Sequence, residues 1–201
     1  MKNIKKRLIE RLTKGMMKVF HIDEVKDLGT LHYLMTTIYE LKKEGYLVKL
    51  SPDGQFYEFR GINYHVGLKC KATALDVARL LKRKYKWQMV PARDYAMSLF
   101  GLGYECEEYC FVSDKKDLRV EFNDTVLIVE HKDRTYFTQY SFNTILVIEV
   151  LKGIGMRDIT EEQLRIISSK LTRKEKQIMY QEVKFGKYFK EKENFLFICR
   201  I

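Results

Sequence analysis

Between residues 30 and 66 the spacing of apolar side chains changes period. Leu31, Leu34, Ile38 and Leu41 fall three, four and three apart, which predicts a helix with one core-facing stripe, opened by Thr30 as N-cap. Glu44-Gly45 then places a glycine where a helix closes through the left-handed region. Beyond it, Tyr46 to Leu50 and Phe56 to Val66 read as two strands, joined by Pro52-Asp53-Gly54 in the chemistry of a short hairpin turn. Upstream, Ile4, Leu8 and Leu12, with Ile9 beside them, predict an amphipathic helix over 3–13 with Lys5, Lys6, Arg7 and Arg11 on its wet side. Gly15 ends it. Met16 to Phe20 reads as a short strand, and Asp23, Glu24 and Val25 begin a brief helix stopping at Gly29.

The resulting order is helix, strand, helix, helix, strand, strand, which is that of a winged helix-turn-helix module. In such a module the third helix enters the major groove and the hairpin lies over neighbouring backbone or minor groove. The candidate DNA-binding residues are therefore Thr30, His32, Tyr33, Thr36 and Thr37 on the front half of that helix, offering hydroxyls, methyls and ring donors or acceptors. Lys42, Lys43, Lys49 and Arg60 are the candidate phosphate contacts. The front half carries no Arg or Lys, the usual readers of guanine. Winged helices also serve as protein-protein modules, and that alternative, a winged helix that does not bind DNA, stays open.

From Ala72 the pattern restarts. Ala74, Leu75, Val77, Ala78, Leu80 and Leu81 predict a helix ending in Lys82-Arg83-Lys84, followed by a strand at Trp87 to Val90, Pro91, and a helix through Tyr95, Ala96, Leu99 and Phe100 that Gly101 and Gly103 break. Strands follow at Tyr109 to Ser113, Leu118 to Phe122 and Val126 to His131, with Asn123-Asp124 as a turn. Phe142 to Ile154, Thr160 to Leu171 and Thr172 to Phe189 read as helices, the last two opened by capping boxes. The fold class is α+β: an N-terminal winged helix-turn-helix domain over 1–68 and a mixed α/β C-terminal domain over 69–201.

The chain has 201 residues, 46% hydrophobic and 32% charged, which suffices for buried cores. No segment is long and apolar enough to span a bilayer, and the first residues lack the apolar core of a secretory signal, so a cytoplasmic protein is expected. A net charge of +10 favours an anionic partner, most commonly nucleic acid. Residues 1–66 carry 12 basic and 8 acidic side chains, or +4, leaving +6 for the remainder, so the charge is spread along the chain.

Candidate chemistry is sparse. Cys70, Cys106, Cys110 and Cys199 have no zinc or thioredoxin spacing, and His21, His32, His65 and His131 form no ligand cluster, so reduced structural thiols and no metal are expected. Cys106 and Cys110 are spaced to meet on a helical turn, but with no companion ligands. Asp114, Asp117, Glu105, Glu107 and Glu108 have no companion His, Gly-Ser pair or nucleotide-binding glycine loop, and read as solvated acids; no catalytic residue and no cofactor are expected. Gly153 and Gly155 read as a helix stop. Lys82 to Lys86, with Tyr85 and Trp87, is either a second nucleic-acid surface or a helix end with favourably placed cations, and the second is the better founded. Met16, Met17, Met89 and Met97 are read as core filler.

The runs "IKKRLIERLTKGMMKVFHIDEVKDLGT", "LKKEGYLVKL", "FRGINY" and "TALDVARLLKRKYKWQMVPARDYAMSLFGL" resemble the AbiEi-type antitoxins of bacterial abortive-infection loci. The matching positions are Arg60, Gly61, Tyr64, Trp87, Pro91, Ala96, Leu99, Gly101 and Leu102; where relatives often have a Ser-Gly pair after the proline, this chain has Ala92 to Asp94. The resemblance implies a DNA-binding transcriptional repressor acting on the promoter of its own operon; a homodimer on DNA is one arrangement that stays open. It further implies a type IV antitoxin that counters a nucleotidyltransferase toxin, commonly without a stable complex.

Overall fold

The computed structural model describes residues 2–51, 55–61, 72–103, 106–121, 125–155, 158–185 and 192–200. Its architecture is mixed α+β with two small sheets. Two compact units divide the chain: residues 1–85 together with 119–126, and residues 86–118 together with 127–201. The expected boundary at 68–69 lies outside the described residues. The first compact unit continues through the helix that follows it, up to Tyr85.

In the first unit, α1 (Lys2–Lys14) leads to β1 (Val19–His21), two single turns of 3₁₀ helix (Ile22–Glu24 and Lys26–Leu28), α2 (Leu31–Lys43), β2 (Leu47–Lys49) and β3 (Phe56–Phe59). The strands form one antiparallel sheet in the order β1-β3-β2, with Phe20 opposite Tyr57 and Val48 opposite Glu58. Leu8 and Leu12 of α1, Phe20, Val25, Leu28, Leu34, Ile38, Leu41, Tyr57 and Phe59 form its core. Each such side chain contributes about 1.5–3 kcal/mol of burial.

The expected short helix at 23–29 is the pair of 3₁₀ turns. His21 explains the break: its Nδ1 accepts the Asp23 N–H at 3.1 Å, while Glu24 accepts the His21 N–H at 2.9 Å, a reciprocal cap that fixes a tight turn. Met16 is not core filler. It is 80% exposed and takes φ +44° in the turn before β1, whereas Met17 packs on the core and Met89 is buried.

Gly45 closes α2 as its position requires. With φ +81°, it donates to the Lys42 carbonyl at 3.0 Å while Tyr46 N–H reaches the Leu41 carbonyl at 2.9 Å, the paired bonds of a Schellman cap. The hairpin tip Pro52–Gly54 lies outside the described residues. Its base is tied by the buried Ser51 hydroxyl, which accepts the N–H groups of Gln55 and Phe56, both at 3.1 Å. All four residues of β3 are buried because it is the central strand. Tyr57 and Phe59 join the helix-side core, while Glu58 accepts the Ala72 N–H at 2.9 Å. α3 (Ala74–Lys84) then packs against β1 and is opened by a Thr73/Asp76 capping box.

The second unit contains β4 (Met89–Pro91), α4 (Arg93–Phe100), β5 (Glu108–Ser113), β7 (Val126–His131), α5 (Arg134–Gln139), α6 (Phe142–Ile154), α7 (Glu161–Ser169), α8 (Arg173–Phe185) and α9 (Lys192–Arg200). β6 (Leu118–Glu121) falls in the first unit from Arg119 onward, and within the second unit the strands run in the order β4-β5-β7. α6 packs against α4, β4 and α8, and α9 against α7 and α8. The expected Thr160/Gln163 cap is present, with Gln163 N–H reaching the Thr160 hydroxyl at 3.3 Å. Cys106 and Cys110 share no helical turn: Cys110 sits buried in β5 and Cys106 precedes the strand. Among the described residues no group of His, Cys, Asp and Glu has the arrangement of a metal site. No described helix is long and apolar enough to cross a membrane.

Candidate nucleic-acid interface

α2 buries Leu34, Thr37, Ile38 and Leu41. Two sequence assignments on this helix are thereby corrected. Leu31, expected in the core stripe, is 59% exposed, and Thr37, expected on the outer face, is 1% exposed. The cause is the helical repeat: Thr37 precedes Ile38 and lies one turn from Leu34 and Leu41, inside the buried arc, whereas Leu31 sits in the first turn at the edge of the packed surface.

The outer face carries His32 and Tyr33, whose rings meet edge to face with centroids 5.7 Å apart. Thr36 is half-buried beside them and donates its hydroxyl to the His32 carbonyl at 3.0 Å; Thr37 does the same to Tyr33 at 2.9 Å. Both hydroxyls thus spend their proton on the helix backbone, and Thr36 presents a methyl group and oxygen lone pairs outward. Thr30 occupies the N-cap with extended backbone, its carbonyl accepting Leu34 N–H at 2.9 Å, but its hydroxyl makes no cap bond. The first turn holds no acidic residue and the last holds Lys42 and Lys43, both exposed. Sequence reading missed the rest of this face, where Leu31, Met35 and Tyr39 line up four apart and exposed. Of the three only Leu31 was assigned, to a core that the neighbouring arc of Leu34, Thr37, Ile38 and Leu41 fills without it.

Several cations of the first unit are committed internally. Arg11 grips both carboxylate oxygens of Asp27, at 2.5 and 2.7 Å, and this fork holds the Asp27 carboxyl below the usual carboxylate range. Lys5 pairs with Glu44 at 2.5 Å, and its ammonium is held above its ordinary value by that bond. Arg60 is partly engaged: its Nε donates to the buried Glu58 at 3.2 Å, while the side chain stays 42% exposed. Lys49 is exposed on β2, opposite Tyr57. Lys42 and Lys43 have no ion-pair partner among the described residues.

The run Lys82 to Lys86 splits. Lys84 pairs with Glu24 at 2.9 Å, and Tyr85 turns inward, its ring 5.3 Å from that of His21. The Tyr85 hydroxyl is buried with no hydrogen-bond partner among the described residues, and burial, followed by the Glu24 and Asp23 carboxylates, pushes its pKa up to about 12. Lys82 and Arg83, with Lys18 and Arg79, line a cleft of about 550 Å³ between the α1–β1 turn and α3.

No family model, characterised protein or solved structure matches this chain.

Proposed function

We propose that the first unit is a winged helix-turn-helix DNA-binding module and that the chain is an autoregulatory repressor and type IV antitoxin, in keeping with its resemblance to the AbiEi-type proteins. The observation that carries the DNA-binding reading is the outer face of α2, where His32, Tyr33 and Thr36 stand together on a helix that ends in Lys42 and Lys43. The element order and the antiparallel β1-β3-β2 sheet support the same reading. On it, α2 enters the major groove, the Thr30 end of the helix meets a phosphate, and Lys42, Lys43 and Lys49 contribute sequence-independent affinity.

The test is fluorescence anisotropy with a labelled duplex from the promoter of its own operon and a scrambled duplex. Tyr33→Ala with Thr36→Ala should weaken promoter binding by about 1–3 kcal/mol for each base that is no longer read, while leaving the scrambled duplex unchanged. Lys42→Gln with Lys43→Gln should weaken both duplexes and flatten the salt dependence by about 0.9 for each phosphate that is no longer neutralised. Unaltered promoter affinity in a folded Tyr33/Thr36 double variant overturns the assignment. For the antitoxin role, co-expression with a nucleotidyltransferase toxin encoded beside it should relieve growth arrest without stable co-purification; arrest that persists despite folded protein overturns it.

The exposed row Leu31, Met35 and Tyr39 favours a second reading, in which the same face docks a protein. Substitution of the row by serine separates the two: loss of a protein complex with promoter affinity intact assigns the row to protein, and loss of promoter affinity assigns it to DNA.

A further inference from the structure

α8 has two chemically opposed faces. Its carboxylates are spent on one: Glu175 accepts from Thr172 N–H at 2.6 Å and from Asn143 at 2.6 Å, and Glu182 accepts from Ser141 N–H and hydroxyl at 2.9 and 3.1 Å. The other face, Arg173, Lys176, Gln177, Tyr180 and Gln181, combines with Cys199 and Arg200 of α9 to line a groove of about 700 Å³. Among the described residues no acidic side chain lines it, and Arg173, Lys176 and Arg200 have no ion-pair partner there. That volume falls in the range of small-molecule sites. Cys199 is half-buried, and burial pushes its thiol up to about 11 against the opposing charge of Lys176, so it is a neutral wall at ordinary pH.

The lining is graded along the helix. Arg173 and Lys176 lie one turn apart, and Tyr180 follows about 6 Å beyond Lys176 at 1.5 Å per residue, with Gln177 and Gln181 flanking it. Arg173, Lys176 and Arg200 at one end suit phosphate oxygens; at the other, the Lys184 ammonium lies 5.8 Å from the Tyr180 ring centroid, and the ring surface left beside it, with two side-chain amides, suits a flat, hydrogen-bonding ring. We propose that this groove binds a nucleotide, its phosphates on Arg173, Lys176 and Arg200 and its base against Tyr180 between Gln177 and Gln181. The site belongs to the second unit and does not depend on the DNA-binding reading of α2.

The experiment is calorimetric titration of the full chain with ATP, pyrophosphate, adenosine and a single-stranded oligonucleotide, repeated with Lys176→Gln, Arg200→Gln and Tyr180→Leu after their folding has been confirmed by thermal melts. ATP should bind more tightly than pyrophosphate or adenosine. Lys176→Gln and Arg200→Gln should each weaken ATP by about tenfold, the effect of removing one charge-assisted hydrogen bond. Tyr180→Leu should weaken ATP and leave pyrophosphate unchanged. No saturable ATP binding at millimolar concentration, pyrophosphate binding as tightly as ATP, ATP affinity unaltered in the variants, or an oligonucleotide that outcompetes ATP through the same residues would each overturn the proposal. Promoter binding should be the same in all three variants, which separates failure of this site from failure of the interface on α2.

Discussion

α2 and α6 are both 13 residues long and end in opposite circumstances. α6 buries every residue from Thr144 to Leu151, including Glu149, and lies at the centre of the second unit's core. α2 buries one arc and leaves Leu31, Tyr33, Met35 and Tyr39 in solvent. A helix buried all round is committed to holding its neighbours in place. One that keeps apolar and aromatic side chains outside, at a cost in exposed surface, is where the chain has something left to bind. The polar residues differ in the same way. Glu149 is satisfied internally, by the Tyr136 hydroxyl at 2.8 Å and Lys152 at 2.7 Å, whereas among the described residues the exposed rings of His32 and Tyr33 meet each other.

The sharpest way to break this contrast is truncation. Leu151→Ala on α6 should cost about 2–5 kcal/mol in urea denaturation, as cavities in packed cores do, while Tyr39→Ala on α2 should stay within about 0.5 kcal/mol. Equal losses would mean that the outer face of α2 is covered in the folded protein. Next in size is Tyr136→Phe, which leaves Glu149 a single partner and should cost about 1–3 kcal/mol. Burial, and then the Glu149 carboxylate, raises the Tyr136 pKa above the ordinary 10.0. The stability this represents is intact below pH 10 and lost as the pH rises, because the unfolded chain gives up that proton first. Denaturation curves at alkaline pH should therefore fall less steeply for Tyr136→Phe than for the unaltered protein.

Gly45→Ala should cost about 1–2 kcal/mol through backbone strain alone, since a Cβ there meets nothing within 4 Å. A thermal melt that does not move would mean the α2 cap relaxes away from the left-handed region. Smallest of all are the two threonines. Thr36→Val and Thr37→Val should each change stability by less than about 0.5 kcal/mol, since a back-bonded hydroxyl adds little to a helix. Only Thr36→Val should alter promoter affinity. An effect of Thr37→Val on DNA would place the buried arc of α2 at the interface after all.

The sequence made some of this plain and hid the rest for identifiable reasons. The bounds of α2, its glycine cap and the strand at Val126–His131 follow from local period and turn chemistry, which do not depend on distant residues. α2 carries two apolar rows, 34/38/41 and 31/35/39, and only tertiary packing decides which row is covered; the expected stripe borrowed Leu31 from the wrong one. Thr36 and Thr37 are adjacent and chemically alike, so a rotation of one residue separates a surface group from a core group. The Arg60–Glu58 pair was hidden because Glu58 is a carboxylate buried in a central strand, which alternation alone does not foretell. α9 escaped because its nine residues contribute only Phe195 and Ile198 as fully buried positions, too few to set a period. The groove on α8 was equally hidden, since part of its wall comes from that helix.

The sheet order β1-β3-β2 also sets a timetable. β3 is the central strand, yet it is the last of the three to leave the ribosome, so β1 and α1 emerge with no edge to join. β2 and β3 close across the short segment 50–55 at little entropic cost, whereas β1 must wait for a partner beyond residue 55. The hairpin is therefore expected to form first, with β1 docking upon it later. Until then the apolar residues of β1 and the inner arcs of α1 and α2 are open to other chains, which makes the interval before Phe59 is synthesised the period of greatest vulnerability to aggregation for the nascent protein.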